Sequence, residues 1–191
     1  AGKTEAVEGG GGSVSVAGGD GENGGIGGGI IMKGGNSYSS TGGSMLISSG
    51  SSQSGFSGEL DLKTSSGKGG SGAVTLSTGN SKLSAGHIIV STGSSLSGQA
   101  GGIIIRAGKS AGRGPDRMVV GGDSAEQTGS SIHIVSGYGE KTSSGHLFVM
   151  SNNAGVSGES GSIKIASGTA SAGASGSISL KSGMSKEGSG G

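Results

Sequence analysis

A short apolar segment recurs about every 15 residues along almost the whole chain. Its first apolar residue, position h, is followed by a second apolar residue at h+2, and this pair occurs twelve times. Successive h residues are 14 to 16 residues apart. Such an array predicts serial copies of one small structural unit. The h residues are Val14, Ile30, Met45, Leu60, Val74, Ile88, Ile103, Met118, Ile132, Leu147, Ile163 and Ile178.

Small residues flank each segment in fixed places. Position h+4 is always small, h+5 is Gly in nine units, and h−2 is Gly in ten. The three exceptions at h+5 are Ser65, Asp123 and Asn152. Since Asn and Asp tolerate positive φ better than most residues, the pattern predicts a turn at h+5.

The composition would otherwise indicate disorder. Of 191 residues, 49 are Gly and 41 are Ser, and hydrophobic residues make up 29%. A chain this rich in Gly and Ser with no period buries too little apolar surface to fold. The period is therefore the argument for order.

Alternation of apolar residues over h and h+2 is a strand signal. We therefore expect an all-β fold, a β-solenoid of about twelve 15-residue strand-turn units. Two strands per coil would give two facing sheets, so that large residues meet across the core. One strand per coil is an alternative. An antiparallel meander is another, although its connections of about eight residues exceed usual hairpin loops. Disorder or a different fold stays open.

This array sets the predicted domain organisation. We expect a glycine-rich N-terminal segment over 1–12, the repeats over 13–183, and a glycine/serine-rich tail over 184–191. Because the chain starts without Met, we expect a processed product or a piece of a longer protein. No capping segment is recognisable, and uncapped strand edges invite pairing. Neighbouring domains or other copies of the chain are expected to cover the ends.

The h+1 residues would point away from the predicted core. In the two-sheet arrangement, alternate units share a sheet, and one sheet carries four apolar h+1 residues in a single ladder. Contiguous exposed apolar surface usually marks an interaction site. A covering loop, or a strand buried on both faces, is the alternative. The candidate assembly face consists of Ile31, Ile89, Val119 and Phe148.

Charge and hydropathy exclude several classes of partner. The net charge is +1 and the 13 Lys and Arg are scattered, so no basic surface for nucleic acid is expected. No apolar run exceeds four residues, so no membrane span is expected. With no Cys, neither a disulfide framework nor a thiolate metal site can form.

No motif in the sequence supports catalysis, a metal or a cofactor. His87 and His146 share position h−1 but are predicted two rungs apart, too far to share a metal. Segment 18–26 resembles a calcium-binding nonapeptide, but the match occurs once and the mechanism needs tandem copies. Glu59 and Asp61 are the only acidic pair flanking a predicted strand, whereas a polysaccharide-cleaving solenoid needs clustered carboxylates. We predict a protein that is not an enzyme.

Two late units carry a resemblance to a known group of proteins. Gly161-Ser-Ile-Lys-Ile-Ala-Ser-Gly168 and Gly176-Ser-Ile-Ser-Leu-Lys-Ser-Gly183 resemble glycine/serine-rich tandem repeats in large secreted or surface proteins of marine microalgae such as diatoms. The resemblance implies an extracellular or cell-surface location and a structural or adhesive role. It implies no active residues.

The sequence therefore favours a non-catalytic extracellular structural protein. It would be a subunit or segment of a fibre, matrix or adhesin that assembles by end-to-end strand stacking and lateral apolar contacts. The alternative is a solenoid binding module that presents a flat face to ice or polysaccharide. Ice binding would favour one small hydroxyl residue repeated along a face, and the h+1 positions instead mix Asp61, His133, Phe148 and Lys164. Self-association is the expected partnership, with polysaccharide a second partner class.

Overall fold

The computed structural model describes residues 11–190. Within this range the chain contains neither a helix nor a strand. The predicted all-β solenoid with two facing sheets is therefore wrong. The chain divides into two units, Ala1–Leu96 and Ser97–Gly191. Residues 1–10 of the predicted N-terminal segment, and Gly191 of the predicted tail, lie outside the described residues.

The repeat is visible as a regular series of bends. One bend or turn occurs in every repeat and begins seven to nine residues after h. None of the five residues with positive φ stands at h+5, so the turn predicted there is wrong. The bends span 23–24, 38–40, 53–55, 68–69, 82–83, 96–98, 111–113, 125–127, 140–142, 156–158, 171–173 and 186–188.

Many of the connections between apolar segments are closed at their base. We call residues h to h+2 a triplet, and the chain between two triplets a connection. The N–H at h−2 of one unit donates to a carbonyl at h+5 of the preceding unit, or at h+4 in one case. We call this closure the neck. The donor–acceptor pairs are Gly28–Gly19 (2.8 Å), Gly43–Gly35 (2.8 Å), Gly58–Gly50 (2.9 Å), Ser130–Gly122 (3.0 Å) and Gly145–Gly137 (2.9 Å).

The necks of the first two connections explain why h+4 and h−2 are Gly there. A Cβ added to Gly18 would overlap the carbonyl of Gly28, and one added to Gly34 would overlap that of Gly43. In six further units a Ser or Thr at h+4 lies 3.4–3.7 Å from where a Cβ on the opposing Gly would stand. In the first two connections glycine therefore permits close approach of two backbones, whereas the six Ser or Thr units show ordinary van der Waals spacing. The six pairs are Ser49–Gly58, Thr64–Gly72, Thr78–Gly86, Ser136–Gly145, Ser151–Gly161 and Ser167–Gly176.

One exception to glycine at h−2 follows the same logic. Ser130 occupies this position, and the residue opposite it at h+4 is Gly122. The Gly122 N–H donates to the Ser130 hydroxyl, and the Ser130 N–H donates to the Gly122 carbonyl. The larger side chain thus faces a glycine and adds a second link across the neck.

The first connection contains a tight turn that the sequence analysis passed over. The Gly25 N–H donates to the Glu22 carbonyl at 2.9 Å, and Asn23 and Gly24 have φ of 53° and 86°. Two central residues with positive φ, Asn followed by Gly, are characteristic of a type I′ turn. Within segment 18–26, which resembles a calcium-binding nonapeptide, the chain forms this turn.

The absence of sheets from residues 11–190 has a physical basis. Each unit offers two large apolar residues, at h and h+2, against about fifteen residues whose backbone entropy would be lost on ordering. Glycine loses the most freedom of any residue. The small apolar gain per unit leaves the triplets unpaired, while local hydrogen bonds still close five of the connections.

Candidate assembly surface

The four residues of the candidate assembly face are all exposed. The exposed fractions are 91% for Ile31, 82% for Ile89, 80% for Val119 and 77% for Phe148. The single ladder predicted for them is wrong, because no sheet aligns alternate units. Ile31 and Ile89 belong to the first unit, and Val119 and Phe148 to the second. The candidate face thus consists of four apolar residues in four different triplets.

Exposure within the triplets follows the sequence alternation only in part, because the h+2 residues are exposed by 54–98%. Nine of the twelve h residues are exposed by 49–59%, whereas the apolar h+1 residues are exposed by 77–91%. Position h is therefore the more covered position in most triplets, although Met118, at 86%, is more exposed than Val119. No hydrophobic residue is buried in the described part of the chain. Most h residues are thus partly covered, but they do not form a core.

The total exposed surface of the chain is large for its mass. The chain exposes 19456 Å². A folded monomer of 17.8 kDa exposes about 8,000 Å², and an extended chain of that mass about 26,000 Å². The exposed area is therefore closer to the extended-chain value than to the folded-monomer value. The surface left open is several times the roughly 800 Å² per partner that a stable interface buries.

Sequence analysis missed a second group of exposed apolar residues, in the connections. Five large side chains there are exposed by 99% or more, the level of an unfolded peptide. Their sequence signal is a single apolar residue among Gly and Ser near the bend. These residues are Tyr38, Phe56, Leu83, Leu96 and Val156.

Serine hydroxyls organise the connections, which sequence analysis also missed. Ser37, Ser52, Ser124 and Ser185 each accept a hydrogen bond from the N–H three residues later, at 2.8–3.0 Å. Such side-chain-to-backbone bonds stabilise turns and compete with regular secondary structure. The abundant serine therefore serves the shape of the connections.

Charged and aromatic contacts are local and few. Lys63 pairs with Asp61, and Arg113 with Asp116 at 3.4 Å, all on exposed side chains. Exposed pairs of this kind add little stability. In the candidate face, the Phe148 ring lies 5.8 Å from the His146 ring, measured between centroids. His146 thus packs beside an aromatic residue on its own segment.

The described residues show no enclosed and no metal-holding arrangement of side chains. Among them we find no cavity and no group of three His or carboxylate side chains able to hold a metal. Glu59 and Asp61 remain on the surface, with Asp61 engaged by Lys63. Over residues 11–190, no helix is long and apolar enough to cross a membrane.

The repeat, the necks and the exposed triplets together define a serial array of locally closed connections. No protein-family model, curated protein or solved structure matches this chain.

Proposed function

We propose that the chain is a non-catalytic structural protein of the cell exterior that associates with further copies into a fibre, matrix or adhesive layer. The observation that carries this proposal is the 19456 Å² of exposed surface, which includes every triplet of the described residues. A large apolar patch on a protein surface usually marks an interaction site. Here the exposed apolar residues are divided among twelve regularly spaced triplets.

The charge balance supports self-association. With a net charge of +1 and only 13% charged residues, copies of the chain repel one another weakly. A nucleic acid or an anionic membrane would find no concentrated positive charge. A further copy of the chain is repelled only weakly and needs no concentrated positive charge in order to bind. It also carries the same apolar repeat.

Two features support a non-catalytic and extracellular role. The acidic residues and histidines are scattered, whereas catalysis requires converging groups in a cavity that excludes water. The resemblance to secreted glycine/serine-rich repeats of microalgae supports a location outside the cell. The same resemblance supports a structural or adhesive use.

Sedimentation velocity over a hundredfold range of concentration tests the proposal. We expect the weight-average sedimentation coefficient to rise steeply with concentration, and electron microscopy of the concentrated sample to show fibres or sheets. The control is the same dilution series in 6 M guanidinium chloride, where association should disappear. A single monomeric species at every concentration would refute the proposed function.

A further inference from the structure

The backbone of the triplets has no partner within the described part of the chain. Within residues 11–190, the backbone hydrogen bonds join necks and turns, and none involves a residue of a triplet. Water satisfies these exposed groups in the single chain. An association that removes the triplets from water must replace those water contacts, because an unpaired buried N–H or carbonyl is costly. The partner must therefore supply a matching row of backbone groups.

The single proline stands where such pairing would tolerate it. Pro115 lies in the connection 106–117, three residues before Met118. Every triplet residue consequently retains its N–H. Proline is excluded from paired strands because it cannot donate. The triplets keep a complete set of donors although the described chain uses none of them internally.

The unequal spacing of the triplets specifies the partner and its register. Successive spacings are 16, 15, 15, 14, 14, 15, 15, 14, 15, 16 and 15 residues. A second copy aligned without offset matches every spacing. A copy shifted by one unit matches only three of ten, and the other seven connections would have to adjust their length between necks. A copy of the same chain at zero offset is therefore the partner whose triplets align with all twelve triplets of the first chain.

From these observations we infer that a second copy of this chain binds parallel and in register, each triplet forming intermolecular backbone hydrogen bonds with the same triplet of its partner. This inference rests on the proposed function, and adds the partner's orientation and register. Neighbouring chains lie about 4.8 Å apart in such pairing. Each side chain of a triplet then contacts its own equivalent, and successive copies can add at both open sides.

Spin labelling of the full chain tests the register. The natural chain has no Cys, so Thr75→Cys, at an exposed h+1 position, provides a single attachment site for a nitroxide. Zero offset places labels of successive copies about 4.8 Å apart, and we expect a single exchange-narrowed line in the assembled sample. Dilution with unlabelled chain in a tenfold excess should restore the three-line spectrum.

A mixed sample distinguishes the alternatives. Ile89→Cys labels the h+1 position of the next unit. If narrowing occurs in the mixture of the two labelled variants, and in neither alone, the offset is one unit and the inference is wrong. Assemblies that sediment but keep three separate lines in every sample also overturn it, while the proposed function stands. If nothing sediments, with or without label, the proposed function fails as well.

Discussion

The triplets and the connections differ in where their bonding partners lie. In the described part of the chain, every backbone hydrogen bond and every serine bridge lies in a connection, in its neck or in the tail after the last triplet. The triplets hold the h and h+2 apolar residues and have no backbone bond. Glycine and serine thus shape the chain locally, and the apolar residues of the triplets stay exposed. Conformation and association can therefore be altered separately.

Removing apolar surface from the triplets should have the largest effect. We expect the fourfold variant Ile31→Ser, Ile89→Ser, Val119→Ser and Phe148→Ser to weaken association by about 10³-fold or more. Burial of one such side chain contributes about 1.5–3 kcal/mol, and 1.4 kcal/mol is tenfold in affinity. Sedimentation velocity measures the change.

The matched control for that variant alters four connection residues. The changes Tyr38→Ser, Phe56→Ser, Leu83→Ser and Val156→Ser remove comparable apolar area near the bends. We expect a loss of less than tenfold. Equal losses in both variants would mean that triplets and connections do not differ in association.

Removing one triplet N–H should weaken association without disturbing the single chain. In Thr75→Pro the lost donor has no acceptor within the described chain, but it would leave a partner's carbonyl unpaired. A net hydrogen bond contributes about 0.5–1.5 kcal/mol and an unsatisfied buried group costs about 1–3 kcal/mol, so we expect roughly a tenfold weaker association. Ser84→Pro, in a connection, is the control and should change little. An unchanged association constant for Thr75→Pro would argue against backbone pairing.

Charge reversal at one h+1 position sharpens the same comparison. At zero offset Lys164 faces Lys164 of the next copy, and like charges about 4.8 Å apart repel by about 0.9 kcal/mol in water. An equimolar mixture of the natural chain and Lys164→Glu should therefore assemble at a concentration about three- to tenfold lower than either alone. Light scattering during dilution gives the threshold. A threshold for the mixture that lies between those of its components would contradict zero offset.

Opening a neck should affect the connection and leave the triplets alone. A side chain at Gly34 would overlap the Gly43 carbonyl, whereas a Cβ at Gly35 meets nothing within 4 Å. We expect Gly34→Val to raise the amide exchange rate of Gly43 several-fold, because its bond to Gly35 is lost. NMR-detected exchange measures this rate, with Gly35→Ala as the control. If both variants behave alike, the close approach at the neck is unimportant.

The smallest effect is expected from a single serine hydroxyl. Ser52 accepts the Gly55 N–H at 2.9 Å, and one such bond is worth about 0.5–1.5 kcal/mol. Ser52→Ala should therefore speed exchange at Gly55 by about threefold. Ser51→Ala, next to it on the same connection, should not. An unchanged rate in Ser52→Ala would show that the bend is held by backbone preferences alone.

How far the structure could be anticipated depends on the range of the interactions. Period and alternation were predictable, because they follow from the positions of h and h+2, and the bends recur with the same spacing. The prediction of strands at these positions was wrong, because a strand requires a second backbone, and no sequence pattern states whether that backbone is in the same chain. The turn predicted at h+5 was wrong because the bend comes later in each repeat, and the Gly35 carbonyl instead accepts the neck hydrogen bond.

The candidate face was predictable only in part. Exposure of Ile31 and Phe148 follows from their middle position, h+1, within a triplet. Their alignment in a ladder would require a sheet, and residues 11–190 contain none. Tyr38 and Phe56 lie outside the repeated triplets, so the 15-residue period does not predict their exposure. The turn at Asn23-Gly24 could have been predicted, because Asn followed by Gly is a common pair at the centre of a type I′ turn.

The closed necks also bear on how the molecule responds to pulling. Between Gly35 and Gly43 the chain could extend to roughly 27 Å, yet one hydrogen bond of 2.8 Å holds these residues together. Tension along the chain would break that bond and release roughly 20 Å of slack. The bond re-forms when the load is removed, because its partners are only eight residues apart. A material made of such chains would yield in small reversible steps and dissipate energy at each one before any covalent bond is strained.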